Sequence, residues 1–412
     1  MTTTPKFQYK CNDCGTTYDP RNVQYMCPEC NAKNTADKPP KGVLKTIYDY
    51  ESIKKHNFQD LKNRQFLDIL PIKSTDSLPN LAIGQTPLYT IDQLDGEGLE
   101  ETVFLKDDAQ NPTFSYKDRA SAIVSAYAKE HGINTIVTAS TGNAGSSLAG
   151  ICAAQSQKGI IMVPASAPVA KLTQIVMYGA TLVPVSGTYD DAFDLSIEAT
   201  EKLGWYNRNT GFNPLTIEGK KTVAFELYEQ LGYEAPNRIF VPVGDGVIIS
   251  GVYKGFEDLL KLGLIEKMPV VVAVQSTGSD NITRNLSNND FSVKQSNTVA
   301  DSISVDIPRN YHMAKKFINS YDGEALAIED NEIMEASYKL SKNTGVFTEP
   351  ASAAAFGGLL YYKKHNKLEK GSKNVVLLTG SGLKDLKAVQ QMIQIPSPIM
   401  PNIDNLKKIY HD

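Results

Sequence analysis

The 412-residue chain lacks any excess of positive charge: 42 Lys and Arg stand against 46 Asp and Glu, a formal net charge of −4. A broad basic field is therefore missing, and nucleic acid is not an expected partner. No apolar run approaches the length that spans a bilayer, so no membrane partner is expected either. Residues Met1 to Lys10 hold no apolar core of the secretory kind, which makes the cytoplasm the expected location. There is no internal repeat. Neither a complete dinucleotide fingerprint nor a Walker lysine motif occurs, which argues against a nicotinamide enzyme. Composition is otherwise ordinary for a globular protein, with 41% hydrophobic and 21% charged residues. The length suits two medium domains and a small module.

Cysteine is scarce, but four of the five residues cluster. Cys11, Cys14, Cys27 and Cys30 form C-x2-C-x12-C-x2-C, a spacing that suits a structural zinc ion held by four thiolates. Such a site leaves no open position for substrate. A metal-free reduced tail and an iron site are the alternatives. Gly15 eases the turn after the first knuckle, and Thr16 to Met26 is expected to form a short hairpin. So few residues bury little core, and metal would carry the local fold. Cys152, in an Ala-rich helical stretch, reads as plain core.

Asn34 to Lys41 is polar, carries Pro39-Pro40 and reads as a linker. Beyond it, short β-branched runs alternate with helical patterns. The expected strands are Thr102 to Lys106, Thr135 to Ala139, Gly159 to Val163, Thr181 to Val185, Arg238 to Val243, Val270 to Gln275 and Asn374 to Leu378. Helices are expected over Asp118 to His131, Asp190 to Leu203, Lys220 to Leu231 and Gly251 to Lys261. This alternation predicts α/β architecture, with parallel sheets covered on both faces. Ser287 to Val299 is Asn/Ser-rich and reads as an exposed loop. The Pro-bearing last 20 or so residues are expected to wrap the surface.

Five segments carry chemistry. Lys117, in Asn111-Pro112-Thr113-Phe114-Ser115-Tyr116-Lys117-Asp118-Arg119, sits where a turn feeds a helix and suits an amine that forms an imine with an aldehyde cofactor. Ser140-Thr141-Gly142-Asn143-Ala144-Gly145 follows a strand and opens a helix, so free N–H groups and side-chain donors suit a carboxylate. Asn143 also suits a ring hydroxyl. A capped helix start without ligand is the alternative. Gly244-Asp245-Gly246-Val247-Ile248 lies between a strand and a helix and suits a monophosphate. There the side chain of Asp245 should point away, and a plain turn is the alternative. Thr379, before Gly380-Ser381-Gly382, places a hydroxyl at a strand end, where a heteroaromatic nitrogen fits. Glu349-Pro350-Ala351-Ser352 opens a helix of small residues that allows close approach of a flat ring, or simply tight packing.

Together these segments resemble the fold-type II pyridoxal-phosphate enzymes, and within that group the threonine synthases. The resemblance runs from about Gly84 to Leu386 and includes Glu218-Gly219-Lys220-Lys221-Thr222. It implies two doubly wound domains with parallel or mixed sheets: a small mobile one over 110–205, and a large cofactor-binding one over 43–109 and 206–412. A zinc-ribbon-like module over 1–33 and a linker over 34–42 precede them. It also implies pyridoxal 5'-phosphate and structural zinc as cofactors, a small amino-acid substrate and a homodimer. Lys117 would carry the cofactor and shuttle protons. Asn143 would bond its ring hydroxyl, Gly244, Asp245, Gly246, Val247 and Ile248 its phosphate, and Thr379 its pyridine nitrogen. Ser140 and Thr141 would hold the substrate carboxylate. The implied reaction converts O-phospho-L-homoserine and water to L-threonine and phosphate. One departure stands out: Thr216 occupies the place where these enzymes commonly carry a phosphate-binding Arg. Arg119, Arg208, Lys220 and Arg309 are the candidate replacements. Phe114 also stands where a smaller residue is commoner. The alternatives are a relative that joins sulfite to phosphoserine and one that deaminates threonine or serine.

Overall fold

Alternating β-branched positions decide which way each strand faces. In the computed structural model, which describes residues 5–390 and 392–409, thirteen strands are present: β1 Gln8–Cys11, β2 Thr17–Tyr18, β3 Leu44–Ile47, β4 Leu88–Leu94, β5 Glu97–Asp107, β6 Thr135–Ala139, β7 Lys158–Pro164, β8 Thr181–Val185, β9 Tyr206–Asn207, β10 Arg238–Pro242, β11 Val270–Ser276, β12 Glu324–Ile328 and β13 Lys373–Leu378. They form three sheets, ordered β2-β1-β3, β12-β11-β10-β13-β5-β4 and β8-β7-β6-β9. The first is antiparallel. The second is parallel except at its edge, where β4 runs against β5. The third is wholly parallel.

Both larger sheets are covered on both faces. Ile239, Val241, Val271, Ala273, Val375 and Leu377 share one core with Val252 and Phe256 of the helix Val247–Lys261. The alternate residues Phe240, Val272, Val274, Val376 and Leu378 share another with Phe356 and Leu359 of the helix Pro350–Lys364. In the four-stranded sheet, Val137, Ala139, Ile160 and Met162 face Ala192 and Phe193 of the helix Tyr189–Leu203. Such period-two sorting defines a doubly wound sheet.

Several expectations change. The β9 strand Tyr206–Asn207 completes the four-stranded sheet by pairing with β6, so a boundary at 205 cuts that sheet. Likewise β3 Leu44–Ile47 belongs to the N-terminal sheet through β1, so a module ending at 33 is too short. The hairpin is β1–β2, closed around the first cysteine knuckle with Gly15 at φ +79, rather than lying within 16–26. The expected helix Lys220 to Leu231 is two helices, Leu215–Lys220 and Thr222–Gln230, and the first starts directly after Pro214. The helix expected from Gly251 begins at Val247, because Gly246 at φ +82 takes the left-handed conformation that ends the turn. Residues 287–299 hold no helix or strand, and most of 392–409 is exposed.

The N-terminal module is not held by its cysteines alone. Tyr25 stacks on Phe212 at 4.7 Å, its hydroxyl accepts from the Asn207 backbone N–H at 3.0 Å, and Phe7 meets Tyr127 edge-on. Burial of these rings joins the module to the main core.

Candidate functional site

The carboxyl ends of β6, β10 and β13 each run into a turn that faces the same space. That space is a cavity of about 510 Å³ between the two larger sheets, where ligands gather in doubly wound folds. Its lining includes Lys117, Ser140, Thr141, Asn143, Gly244, Asp245, Gly246, Val247, Ile248 and Thr379, together with Lys220 and Arg309. Sequence segments more than 250 residues apart therefore converge on one site.

Lys117 is the first residue of the helix Lys117–Glu130. Burial lowers its amine's pKa, the nearby Arg208 adds to this, and Glu349 and Asp245 oppose it. A lowered pKa increases the fraction of free amine, the nucleophilic and basic form. Ser140 Oγ accepts from the Gly142 N–H at 3.2 Å, shaping the turn into the helix Asn143–Ala154. Val247 and Ile248 are first-turn residues of their helix, whose N–H groups lack intrahelical acceptors and favour an anion. Asp245 Oδ1 accepts from the Arg309 N–H at 3.2 Å, which turns that carboxyl toward the 309 loop.

The four candidate cations separate sharply. Arg119 does not reach the cavity: its guanidinium is buried between Asp108 (Nε to Oδ2, 2.6 Å) and Glu226 (Nη1 to Oε1, 2.5 Å). A substrate role for Arg119 is therefore corrected to an internal ion-pair role. Arg309 lines the cavity, but its guanidinium pairs with Asp190 and lies 3.8 Å over the Phe193 ring. Lys220 is fully buried, lines the cavity, and its Nζ has no hydrogen-bond partner among the described residues. Burial, then Arg208 and Lys117, drive its pKa well down. Arg208 is also fully buried. Its Nε donates to Ser121 Oγ at 3.1 Å and its Nη1 to Thr210 Oγ1 at 2.8 Å, while Nη2 is without a partner among the described residues. Two buried basic groups with open hydrogen-bonding capacity suit an anion; Lys220 lines the cavity, whereas Arg208 does not. Thr216 is buried, and its hydroxyl donates to the Asn213 carbonyl at 2.8 Å.

One side-chain role and one segment went unread in the sequence. Glu349 lines the cavity and accepts from Asn143; a glutamate where a helix start usually takes Ser, Thr, Asp or Asn was the available signal. Residues 301–307 form a cavity wall, for which only the neighbouring Pro308-Arg309 hinted.

Away from the cavity, the sulfur atoms of Cys11, Cys14, Cys27 and Cys30 all lie within 4.8 Å of one another. Cys11 Sγ is 3.8 Å from Cys30 Sγ, and Cys14 Sγ is 3.7 Å from Cys27 Sγ. A tetrahedral ion with metal–sulfur bonds of about 2.3 Å requires sulfur pairs about 3.8 Å apart, so the thiol set fits zinc. No helix among the described residues is long and apolar enough to cross a membrane.

Residues 79–380 match the family described as pyridoxal-phosphate dependent enzyme. A threonine synthase of Methanocaldococcus jannaschii is 34% identical over 411 residues, covering 97% of this chain and 98% of that protein. One from Halalkalibacterium halodurans is 33% identical, covering 82% and 94%. Among solved structures, threonine deaminase isoform 2 of Solanum lycopersicum superposes with a TM-score of 0.67 at 21% identity, covering 81% of this chain and 94% of that one. Maize serine racemase gives 0.65 at 21%, covering 75% and 92%. At that identity the likeness is one of fold.

Proposed function

Because the chain belongs to the pyridoxal-phosphate dependent enzyme family and sits among its threonine synthases, we propose that it converts O-phospho-L-homoserine and water to L-threonine and phosphate. The observation that carries this reading is one cavity holding the Lys117 amine, a helix-start anion cradle and the Lys220 amine, which has no partner among the described residues. The cavity residues fit the cofactor: Lys117 for its aldehyde, the turn Gly244 to Ile248 for its phosphate, Asn143 for its ring hydroxyl and Thr379 for its pyridine nitrogen. When bound, pyridoxal phosphate supplies an electron sink that makes the substrate Cα–H acidic.

The chain's own residues do the rest. Ser140, Thr141 and the N–H groups opening the helix Asn143–Ala154 hold the substrate carboxylate. Lys117, kept in its free-amine form by burial, takes the Cα proton, gives it up, and then takes a Cβ proton that is delivered to Cγ as the phosphate departs; water adds at Cβ and a proton returns to Cα. Lys220, with Arg208 beside it, holds the phosphate that leaves Cγ. Arg309 serves the substrate site as part of its wall: its pair with Asp190, and that of Lys171 with Asp301 at 2.7 Å, tie the 301–309 loop to helices of the four-stranded domain. Those ties limit access of bulk water beyond the one molecule the reaction consumes.

We further propose a structural zinc ion on Cys11, Cys14, Cys27 and Cys30, supported by the sulfur spacing. A homodimer, a cytoplasmic location and mobility of the smaller domain extend the family resemblance. The deciding assay supplies O-phospho-L-homoserine to the cofactor-loaded protein and measures both products. Phosphate and threonine in equal amounts are expected, and borohydride reduction should fix the cofactor on Lys117. Ammonia alone from threonine or serine, or reaction only with phosphoserine and sulfite, would overturn the reading.

A further inference from the structure

Glu349 immediately precedes the helix Pro350–Lys364, yet its side chain does not cap that helix. The carboxylate turns into the cavity wall instead. There Oε1 and Oε2 accept from Asn143 Nδ2 at 3.0 and 3.1 Å, and Oε2 accepts from Ser302 Oγ at 3.2 Å. Space for it is made by Gly380, where a Cβ would lie 2.5 Å from Glu349 Oε1 and 2.7 Å from its Cδ. Burial raises the carboxyl's pKa, but the Asn143 hydrogen bond, Lys117, Ser302 and Lys384 all favour the ionised form.

From these contacts we propose that Glu349 is the positioning residue for Asn143, fixing its amide so that an N–H faces the cofactor's ring hydroxyl. An ionised carboxylate only accepts hydrogen bonds, so it meets only the NH2 edge of the amide. That bars the amide from flipping to present its oxygen. Nδ2 carries two hydrogens: one is taken by Glu349, and the other meets only Ser302 Oγ at a long 3.4 Å, a contact the ring oxygen would replace. The same carboxylate ties the 301–307 wall to the Asn143 turn through Ser302. The inference rests on the cofactor site proposed above.

A double-mutant cycle with Glu349→Ala, Asn143→Ala and the double variant tests it, with Glu349→Gln as the conservative control. Two quantities are read: affinity of the apo-protein for pyridoxal phosphate, and the ratio of the bound cofactor's two absorbance bands, which reports the protonation of the ring oxygen. Glu349→Ala is expected to weaken binding about tenfold, the worth of one hydrogen bond at the upper end of its usual range, and to shift the band ratio. Glu349→Gln, whose amide oxygen still accepts, should recover most of both. With Asn143 already replaced by Ala, removing Glu349 should change affinity by less than about twofold. Equal losses in the two backgrounds, or an unshifted band ratio in Glu349→Ala, overturn the inference. If Glu349→Ala does not fold, the cycle is run with Glu349→Gln and Glu349→Leu under the same criteria. Wild-type protein that binds no pyridoxal phosphate overturns the proposed function and this inference with it. Wild-type protein that binds, with an additive cycle, overturns the inference alone.

Discussion

Arg119 and Asp108 form a buried ion pair, with Nε 2.6 Å from Oδ2 and both side chains almost wholly shielded from solvent. The pair extends to Glu226 and from there to Lys106, whose Nζ lies 2.7 Å from Glu226 Oε2. Two carboxylates and two cations share one enclosed network, with Arg119 on the helix that Lys117 opens. Removing one partner leaves charge without compensation in a poor solvent. Arg119→Ala should therefore lower unfolding free energy by about 3–5 kcal/mol, read by denaturant titration. Arg119→Ala should weaken cofactor and substrate binding only as far as the fold is lost. A selective rise in KM for the phosphorylated substrate at unchanged stability would restore Arg119 to the substrate site.

The same network sets an acid limit. Burial pushes the Glu226 carboxyl up, but Arg119 and Lys106 outweigh it and hold its pKa down at about 2. The unfolded chain binds this proton near the ordinary glutamate value of 4.5, so below that pH the unfolded state holds more protons than the folded one. Stability from Glu226 is complete above about pH 4.5 and is lost as pH falls toward about 2. Unfolding free energy measured across that window should fall less steeply in Glu226→Gln than in the wild type. Parallel slopes would exclude the linkage.

How much of this was legible beforehand depended on local signal. Strands β6, β10 and β13 stood out because buried β-branched runs end at glycine turns, which also exposed the cavity-lining segments. Strand β4, LYTIDQL, is a mostly exposed edge, so no alternation of buried and exposed positions marks it despite its Tyr-Thr-Ile run. EALAI of β12 uses residues that favour helices and gains its strand state by pairing with β11. Arg119 and Lys220 illustrate the limit at the site. Both are cations flanking motif residues, and only the tertiary positions of Asp108 and Glu226 separate the paired one from the open one.

The cysteine cluster should hold one zinc per chain. Removal of metal by a chelator should loosen Gln8–Cys11 and the two knuckles, seen as faster proteolysis within residues 11–30. The body should persist, because Tyr25, Phe7 and Lys45 are anchored on Phe212, Tyr127 and Glu257. Cofactor binding is then expected to survive chelation. Loss of the cofactor together with the metal would show that the module supports the cavity more directly than these contacts indicate.

Lys220 and Thr216 lie one turn apart on the helix Leu215–Lys220, so their side chains share a face. The ammonium at 220 is buried, partnerless among the described residues, and beside the cavity, whereas the hydroxyl at 216 is satisfied within its own turn. Burying this amine without a partner costs stability in the absence of an anion, and burial pushes it toward its neutral form. Lys220→Met should therefore make the ligand-free protein more stable, by about 1 kcal/mol or more. The same change removes a charged hydrogen bond to the phosphate, worth about 1.5–3 kcal/mol, or roughly 10- to 150-fold in KM. These opposite signs distinguish a binding cation from a structural one, whose loss would harm both. The double variant Thr216→Arg/Lys220→Gln returns the charge to the other position and should recover most of the lost KM. If Lys220→Met leaves KM unchanged, or if the double variant fails to recover while remaining folded, the phosphate is held elsewhere, and Arg208 becomes the cation to test.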